Sequence, residues 1–77
     1  MPKKFKRIFI KDKSDFLNRI IKKGFTPTLL AKEIFISRQA LNYAINGVNG
    51  INADTAAKIV EVIKAEFDEI FVIRDFD

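Results

Sequence analysis

The sequence predicts a mainly α domain of four helices, with a short strand near each end of the chain. Apolar residues recur at helical spacing over most of the length, and residues typical of helix ends separate these runs. Runs of aromatic and β-branched residues stand at residues 5–10 and 70–76. With 77 residues, 48% of them apolar, the chain can bury one modest core, so we expect residues 1–77 to form a single domain.

The run FKRIFI at residues 5–10 alternates as a strand does. A lone strand is unstable, and the other such run is IFVIRDF at residues 70–76. We therefore predict that the two segments pair, in an antiparallel arrangement. The alternative is a flexible basic arm at the N-terminus and an apolar tail that packs on the helices. In both cases the basic segment 3–7 is able to contact phosphates.

Two helices are expected before residue 36. Ser14 is the expected N-cap of the first helix, and Gly24 ends it. Its expected buried face consists of Phe16, Leu17, Ile20 and Ile21. Thr26 caps the second helix, and Pro27 takes its first position because the N–H that proline lacks has no partner there. This helix is expected to reach about Phe35. Its expected buried residues are Leu30, Ala31 and Ile34.

The third helix is expected to begin after the N-cap Ser37 and to end at Asn46 and Gly47. The spacing predicts that one face is buried, formed by Ala40, Leu41, Ala44 and Ile45. The residues left on the outside are Arg38, Gln39, Asn42 and Tyr43. Arginine pairs with guanine edges, asparagine and glutamine pair with adenine edges, and a helix fits the major groove of DNA. This face is therefore a candidate for reading base edges.

A loop rich in glycine and asparagine follows, and the fourth helix is expected to open at Asn52 or at Ala53 and Asp54. Its expected buried stripe consists of Ala56, Ile59, Val60, Ile63 and Phe67. Two further residues, Ala57 and Val62, widen this stripe. The wider stripe is consistent with a dimer surface or with a face that lies under the terminal strands. We expect the segment 68–69 to break the helix before the last strand.

Residues 26–47, TPTLLAKEIFISRQALNYAING, resemble the helix-turn-helix of Cro- and CI-type repressors, the XRE family. The resemblance extends over residues 14–71. Its matching features are Leu30 with Ala31, Ile36 with Ser37, Leu41 and Gly47. It implies a lambda-repressor-like bundle with the helix-turn-helix at about residues 27–46, in which the small Ala31 allows close helix approach. The chain departs from the family at Phe35, where glycine is usual, and at residues 45–46, where an acidic residue is often found.

The resemblance implies a transcriptional regulator that binds double-stranded DNA, as a phage or mobile-element repressor does, as a homodimer on a palindromic operator. The expected base-contacting residues are Arg38, Gln39, Asn42 and Tyr43. The expected DNA-backbone contacts are Thr28, Lys32, Ser37, Asn46 and Asn49. For several of these residues a plain role in helix capping, in turn formation or on a solvated surface is the alternative. One rival function is a protein-binding module such as an antitoxin or adaptor. A second is a non-specific architectural DNA binder.

Composition bounds the remaining possibilities. The chain has no Cys and no His, so thiolate metal sites and the commonest general base are excluded. We expect no catalytic residues, no metal, no cofactor and no small-molecule ligand. No apolar run is long enough to span a membrane, and a cytoplasmic location is expected. Residues 1–40 carry a net charge of +8 and residues 41–77 a net charge of −4, which indicates a polyanionic partner on one side.

Overall fold

The computed structural model describes residues 5–76, and their side chains from residue 6 to residue 75. The predicted mainly α architecture with two terminal strands is confirmed, but residues 5–76 contain five helices instead of four. The elements in chain order are β1 (Phe5–Ile10), α1 (Lys13–Lys22), α2 (Pro27–Glu33), α3 (Arg38–Ile45), α4 (Ala53–Ile63), α5 (Phe67–Ile70) and β2 (Phe71–Phe76). None of these helices combines the length and the apolar character that crossing a bilayer requires.

The two strands form an antiparallel ribbon, as predicted from their alternation. Residue 5 pairs with residue 76, and Ile10 pairs with Phe71 at the other end. The alternation turns Ile8 and Phe71 into the core, where both are buried. The other edge of β1 carries one more pair of backbone hydrogen bonds, because Ile8 and Ile51 each donate to the other's carbonyl, at 3.4 and 2.9 Å. The ribbon is thereby attached to the loop that precedes α4.

The core contains only apolar side chains in the described part of the chain. Every helix contributes to it, and the largest completely buried side chains are Phe16, Ile20, Leu30, Ile34, Leu41, Ile59, Ile70 and Phe71. Fully burying a side chain of this size stabilises a fold by about 1.5–3 kcal/mol. The core therefore holds the helices and the ribbon in one fixed arrangement.

Two of the predicted N-caps, Thr26 and Ser37, are confirmed. Asn52 caps α4, which begins at Ala53, within the range that the sequence left open. The prediction for α1 was wrong, because Asp12 caps this helix and Ser14 lies inside it. The Asp12 carboxylate accepts a hydrogen bond from the Asp15 N–H at 3.0 Å. A carboxylate also interacts more favourably than a hydroxyl with the positive end of the helix dipole, which explains why Asp12 takes this position.

Two residues that were expected to be buried are exposed. Ile21 on α1 is 61% exposed, and Ala40 on α3 is also exposed. In each helix the buried stripe is narrower than expected. It centres on Ile20 in α1 and on Leu41 in α3. A neighbour in sequence lies about 100° further round the helix, so these flanking positions turn away from the core.

The end of α4 also differs from the prediction. Lys64 takes a left-handed conformation, with φ 58°, and ends the helix three residues before Phe67. A new helix then starts, where the Glu69 side chain accepts a hydrogen bond from the Glu66 backbone N–H at 2.9 Å. Asp68 and Glu69 therefore lie inside α5 instead of breaking a helix. This rearrangement places the ring of Phe67 at 5.3 Å from that of Phe71, measured between centroids.

Arg19 connects α1 with α5. Its Nε lies 2.8 Å from Oδ2 of Asp15, and its Nη1 lies 3.9 Å from Oε1 of Glu69. The hydrogen bond to Asp15 raises the pKa of the Arg19 guanidinium.

The turn between α2 and α3 is made by Phe35. The second helix ends at Glu33, two residues before the predicted end, and Ile34 is its C-cap. Phe35 then adopts φ 61°, a left-handed conformation that glycine reaches without steric cost. Phe35 is 87% exposed, and the Lys58 ammonium lies 6.0 Å from the centre of its ring. The backbone at Phe35 is therefore strained, with little side-chain packing to offset the strain.

Phe35→Gly is expected to raise the free energy of unfolding by up to about 1 kcal/mol. A left-handed backbone costs a residue with a β-carbon about 1–2 kcal/mol, and the greater freedom of glycine in the unfolded chain offsets about half of this. Urea denaturation followed by circular dichroism measures the change. Phe35→Ala is the control, because it removes the ring but keeps the β-carbon and should give no gain. A loss of more than about 1 kcal/mol in the glycine variant would contradict this assignment of strain.

Gly50→Ala is expected to destabilise the protein by about 1–3 kcal/mol, because the loop leaves no room for a methyl group. A β-carbon at this position would lie 2.8 Å from the Arg7 Cβ and 3.2 Å from the Ile8 carbonyl oxygen. Asn49→Ala, at an exposed neighbouring position, is the control. Thermal unfolding of both variants tests the contact, and equal melting temperatures would show that the loop can move away from β1.

Candidate nucleic-acid interface

The segment from α2 to α3 folds as two helices joined by a tight turn. Leu30 and Ala31 of α2 are buried against the underside of α3, where Leu41 and Ile45 are buried in turn. The backbone N–H of Ile36 donates to the Ala31 carbonyl at 3.0 Å, which closes the turn. Because Ala31 has only a methyl side chain, the two helices can approach closely at this point.

The outer face of α3 carries the four residues predicted to read bases. Arg38 and Gln39 are exposed, Tyr43 is 40% exposed, and Asn42 is half-buried at the flank of the face. Nε2 of Gln39 donates a hydrogen bond to the Tyr43 hydroxyl at 2.8 Å. The two side chains are one helical turn apart, so this bond aligns them along the axis of α3. The Gln39 carbonyl oxygen has no part in it and remains an acceptor directed by the amide plane.

Two of the five predicted backbone contacts already have hydrogen bonds within the protein. The Ser37 Oγ accepts from the Ala40 N–H at 3.0 Å, as the cap of α3. The Asn46 Oδ1 accepts from the Lys13 Nζ at 2.7 Å. In each case the donor remains, the hydroxyl hydrogen of Ser37 and the amide hydrogens of Asn46. The other three, Thr28, Lys32 and Asn49, are exposed.

Lys13 is a residue that the sequence reasoning missed. It begins α1, and its ammonium reaches the end of α3 by its hydrogen bond with Asn46, across 33 positions of sequence. No local pattern indicates a contact of this kind, because it depends on how α1 packs beside α3. The contact brings a positive charge to the C-terminal end of the candidate face.

A cleft of about 450 Å³ runs along the other flank of α3, between the helix, the loop after it and the ribbon. Its walls carry both polar and apolar groups, and the residues that line it are Arg7, Ile36, Ala40, Tyr43, Asn49, Gly50, Ile51, Asn52 and Thr55. Arg7 belongs to the basic segment 3–7 that was expected to be able to contact phosphates. The first two residues of that segment lie outside the described residues. Thr55 and Asn52 were not predicted as site residues.

The described residues contain no group of three acidic side chains placed to hold a metal ion together. The donors along α3 and the cleft are instead guanidinium, amide, hydroxyl and ammonium groups. Groups of these kinds donate hydrogen bonds to phosphate oxygens and to base edges, which suits an anionic polymer better than a metal ion.

Comparison with known families gives one result that covers this region. The sequence model of a family described as helix-turn-helix matches residues 18–70, which is 53 of the 77 residues. Comparison with curated proteins and with solved structures gives no match. The matched region contains α2, α3, the turn at Phe35 and the whole of α4. The chain therefore belongs to the Cro/CI-like (XRE) helix-turn-helix family of DNA-binding transcriptional regulators.

Proposed function

We propose that the protein is a sequence-specific repressor that binds a palindromic DNA operator as a homodimer, with residues 1–77 acting as one domain. The observation that carries this proposal is the outer face of α3, where Arg38, Gln39 and Tyr43 project from a helix whose opposite face is buried. A face of guanidinium, amide and phenol groups on an exposed helix matches the donor and acceptor pattern of the major groove.

Base reading is divided among four residues in this proposal. Gln39 and Asn42 contact adenine edges, since an amide offers one donor and one acceptor in a plane. Arg38, at the first turn of α3, reaches a guanine or a phosphate. The ring of Tyr43 packs on a sugar or on a thymine methyl group. The hydrogen bond from Gln39 to Tyr43 supports this division, because it orders both side chains before DNA is bound.

Backbone contacts fix the position of α3 in the groove. The proposed residues are Thr28, Lys32, Ser37, Asn46 and Asn49. Thr28 lies exposed in the first turn of α2, where its hydroxyl can donate a hydrogen bond to a phosphate. Ser37 and Asn46 stand at the two ends of α3, so contacts through them place the helix along its own length. Such contacts carry no sequence information but set the register of the base contacts.

A symmetric dimer would place two copies of α3 at half-sites about 34 Å apart, one helical turn of DNA. The surface proposed for it consists of α4 and the C-terminal segment. Ala57 on α4 is exposed, and Ile73 on β2 is 53% exposed, which supports an apolar contribution from both elements. The partner in this interface is a second copy that offers the same patch.

Selection of bound duplexes from a random pool tests this function. A palindromic consensus with half-sites one turn apart is expected, and analytical ultracentrifugation of the complex should show two chains on each duplex. Absence of binding to duplex DNA at low salt would favour the protein-binding rival, such as an antitoxin or adaptor. Binding without a consensus would favour the architectural rival.

Gln39→Ala and Asn42→Ala are each expected to weaken binding to the selected site by about 1–3 kcal/mol and to relax preference at one base pair. Fluorescence anisotropy with the selected duplex and with single-base variants measures both effects. Asn18→Ala, which removes an exposed amide from α1, is the matched control and should leave the affinity unchanged. Equal affinity of all three variants on every duplex would contradict base reading by α3.

A further inference from the structure

Two arginines lie directly opposite each other on the ribbon. Arg7 of β1 is the register partner of Arg74 of β2, so both side chains leave the same face, and both are exposed. Like charges at directly opposed positions destabilise a pair of strands. Among the residues that the structure describes, no carboxylate lies within 4.0 Å of either guanidinium. The fold alone therefore gives no reason for this pair.

The other face of the same ribbon behaves differently. There Lys6 is opposite Asp75, and the ammonium lies 2.9 Å from the carboxylate. One face of the ribbon thus neutralises its charge with a cross-strand partner, while the face of Arg7 and Arg74 concentrates positive charge. The Arg74 guanidinium is also held over the ring of Phe9, 5.4 Å from its centre, which restricts its orientation.

The arginine face is next to α3. Arg7 lines the same cleft as Ala40 and Tyr43, so the ribbon forms one wall and the recognition helix the other. The position of the ribbon is fixed by the backbone hydrogen bonds between Ile8 and Ile51 and by the close approach of Gly50 to β1. Arg7 is therefore held at a defined place beside the helix, and Arg74 lies directly across the ribbon from it.

We propose that Arg7 and Arg74 bind phosphates of the DNA strand that borders the major groove occupied by α3. This inference rests on the proposed function, and it adds a second contact region outside the helix-turn-helix. Of the cleft residues, Asn49 and Thr55 supply neutral donors beside the same strand. In the complex, the phosphates would offset the repulsion between the two guanidinium groups by accepting charge-assisted hydrogen bonds from them.

Salt dependence of duplex binding measures the number of phosphate contacts directly, because each contact adds about 0.9 to the slope of log affinity against log salt. Arg7→Gln and Arg74→Gln are each expected to lower the slope by about 1. Between 50 and 200 mM salt, the affinity of the unmodified protein should therefore fall by a factor about three times larger than the factor for each variant. Lys22→Gln, an equal loss of charge at an exposed position of α1, is the control and should keep the original slope.

The outcomes separate this inference from the proposed function. A lower slope in both arginine variants with a duplex of any sequence, at a thermal stability no lower than that of the unmodified protein, supports the phosphate contact. An unchanged slope in both arginine variants, or an equal change of slope in Lys22→Gln, overturns the phosphate contact. The proposed function then still stands, provided that the unmodified protein binds duplex DNA. If the unmodified protein itself does not bind duplex DNA, the proposed function fails and this inference fails with it.

Discussion

Burial of the apolar underside of α3 is the constraint on which the rest of the structure depends. Leu41, Ala44 and Ile45 are buried against the other helices, so α3 cannot rotate about its axis without exposing them. Rotation by a single residue, about 100°, would in one direction bury the polar Asn42, at a cost of about 1–3 kcal/mol for each polar group left without a hydrogen bond. The hydrophobic core thus decides which side chains α3 presents outward.

The ribbon adds a second fixed reference to this helix. Residues from the two ends of the described chain meet in β1 and β2, and the bridge at Ile8 and Ile51 attaches them to the loop after α3. The cleft that results has one wall from the ribbon and one from α3. Its polar groups come from segments far apart in sequence, so it exists only in the folded state. The outer face of α3 and the ribbon are thereby held in one orientation, which on the proposed function favours recognition of a rigid partner such as duplex DNA.

Features that depend on local chemistry were predictable from the sequence. The caps Thr26 and Ser37, the start of α2 at Pro27 and the pairing of the terminal strands follow from residue type and spacing, and all are confirmed. Choices between two similar local signals were not predictable. Asp12 and Ser14 are both good caps, and the structure has Asp12 in this role. Lys64 ends α4 in a left-handed conformation, although no glycine stands at this position to indicate the end of the helix.

The candidate site divides in the same way. The helical period predicts that Arg38 and Gln39 are exposed, and both are. Ala40 was expected to be buried but is exposed, because the buried stripe of α3 is narrower than the pattern of apolar residues. Contacts between distant segments could not be derived, since they require the tertiary arrangement. The hydrogen bond from Lys13 to Asn46 and the alignment of Arg7 with Arg74 are of this kind. DNA-binding roles for all of these residues stay predictions.

Mapping of amide chemical shifts during titration with a selected duplex tests the central claim most directly, because it reports every described residue at once. We expect the largest shifts along residues 37–46, with a second group at residue 7, residues 49–55 and residue 74. Shifts confined to the exposed turn at residues 33–35 and to residues 58–62 of α4, with α3 unchanged, would contradict the account, since they would place the binding surface on another side of the molecule.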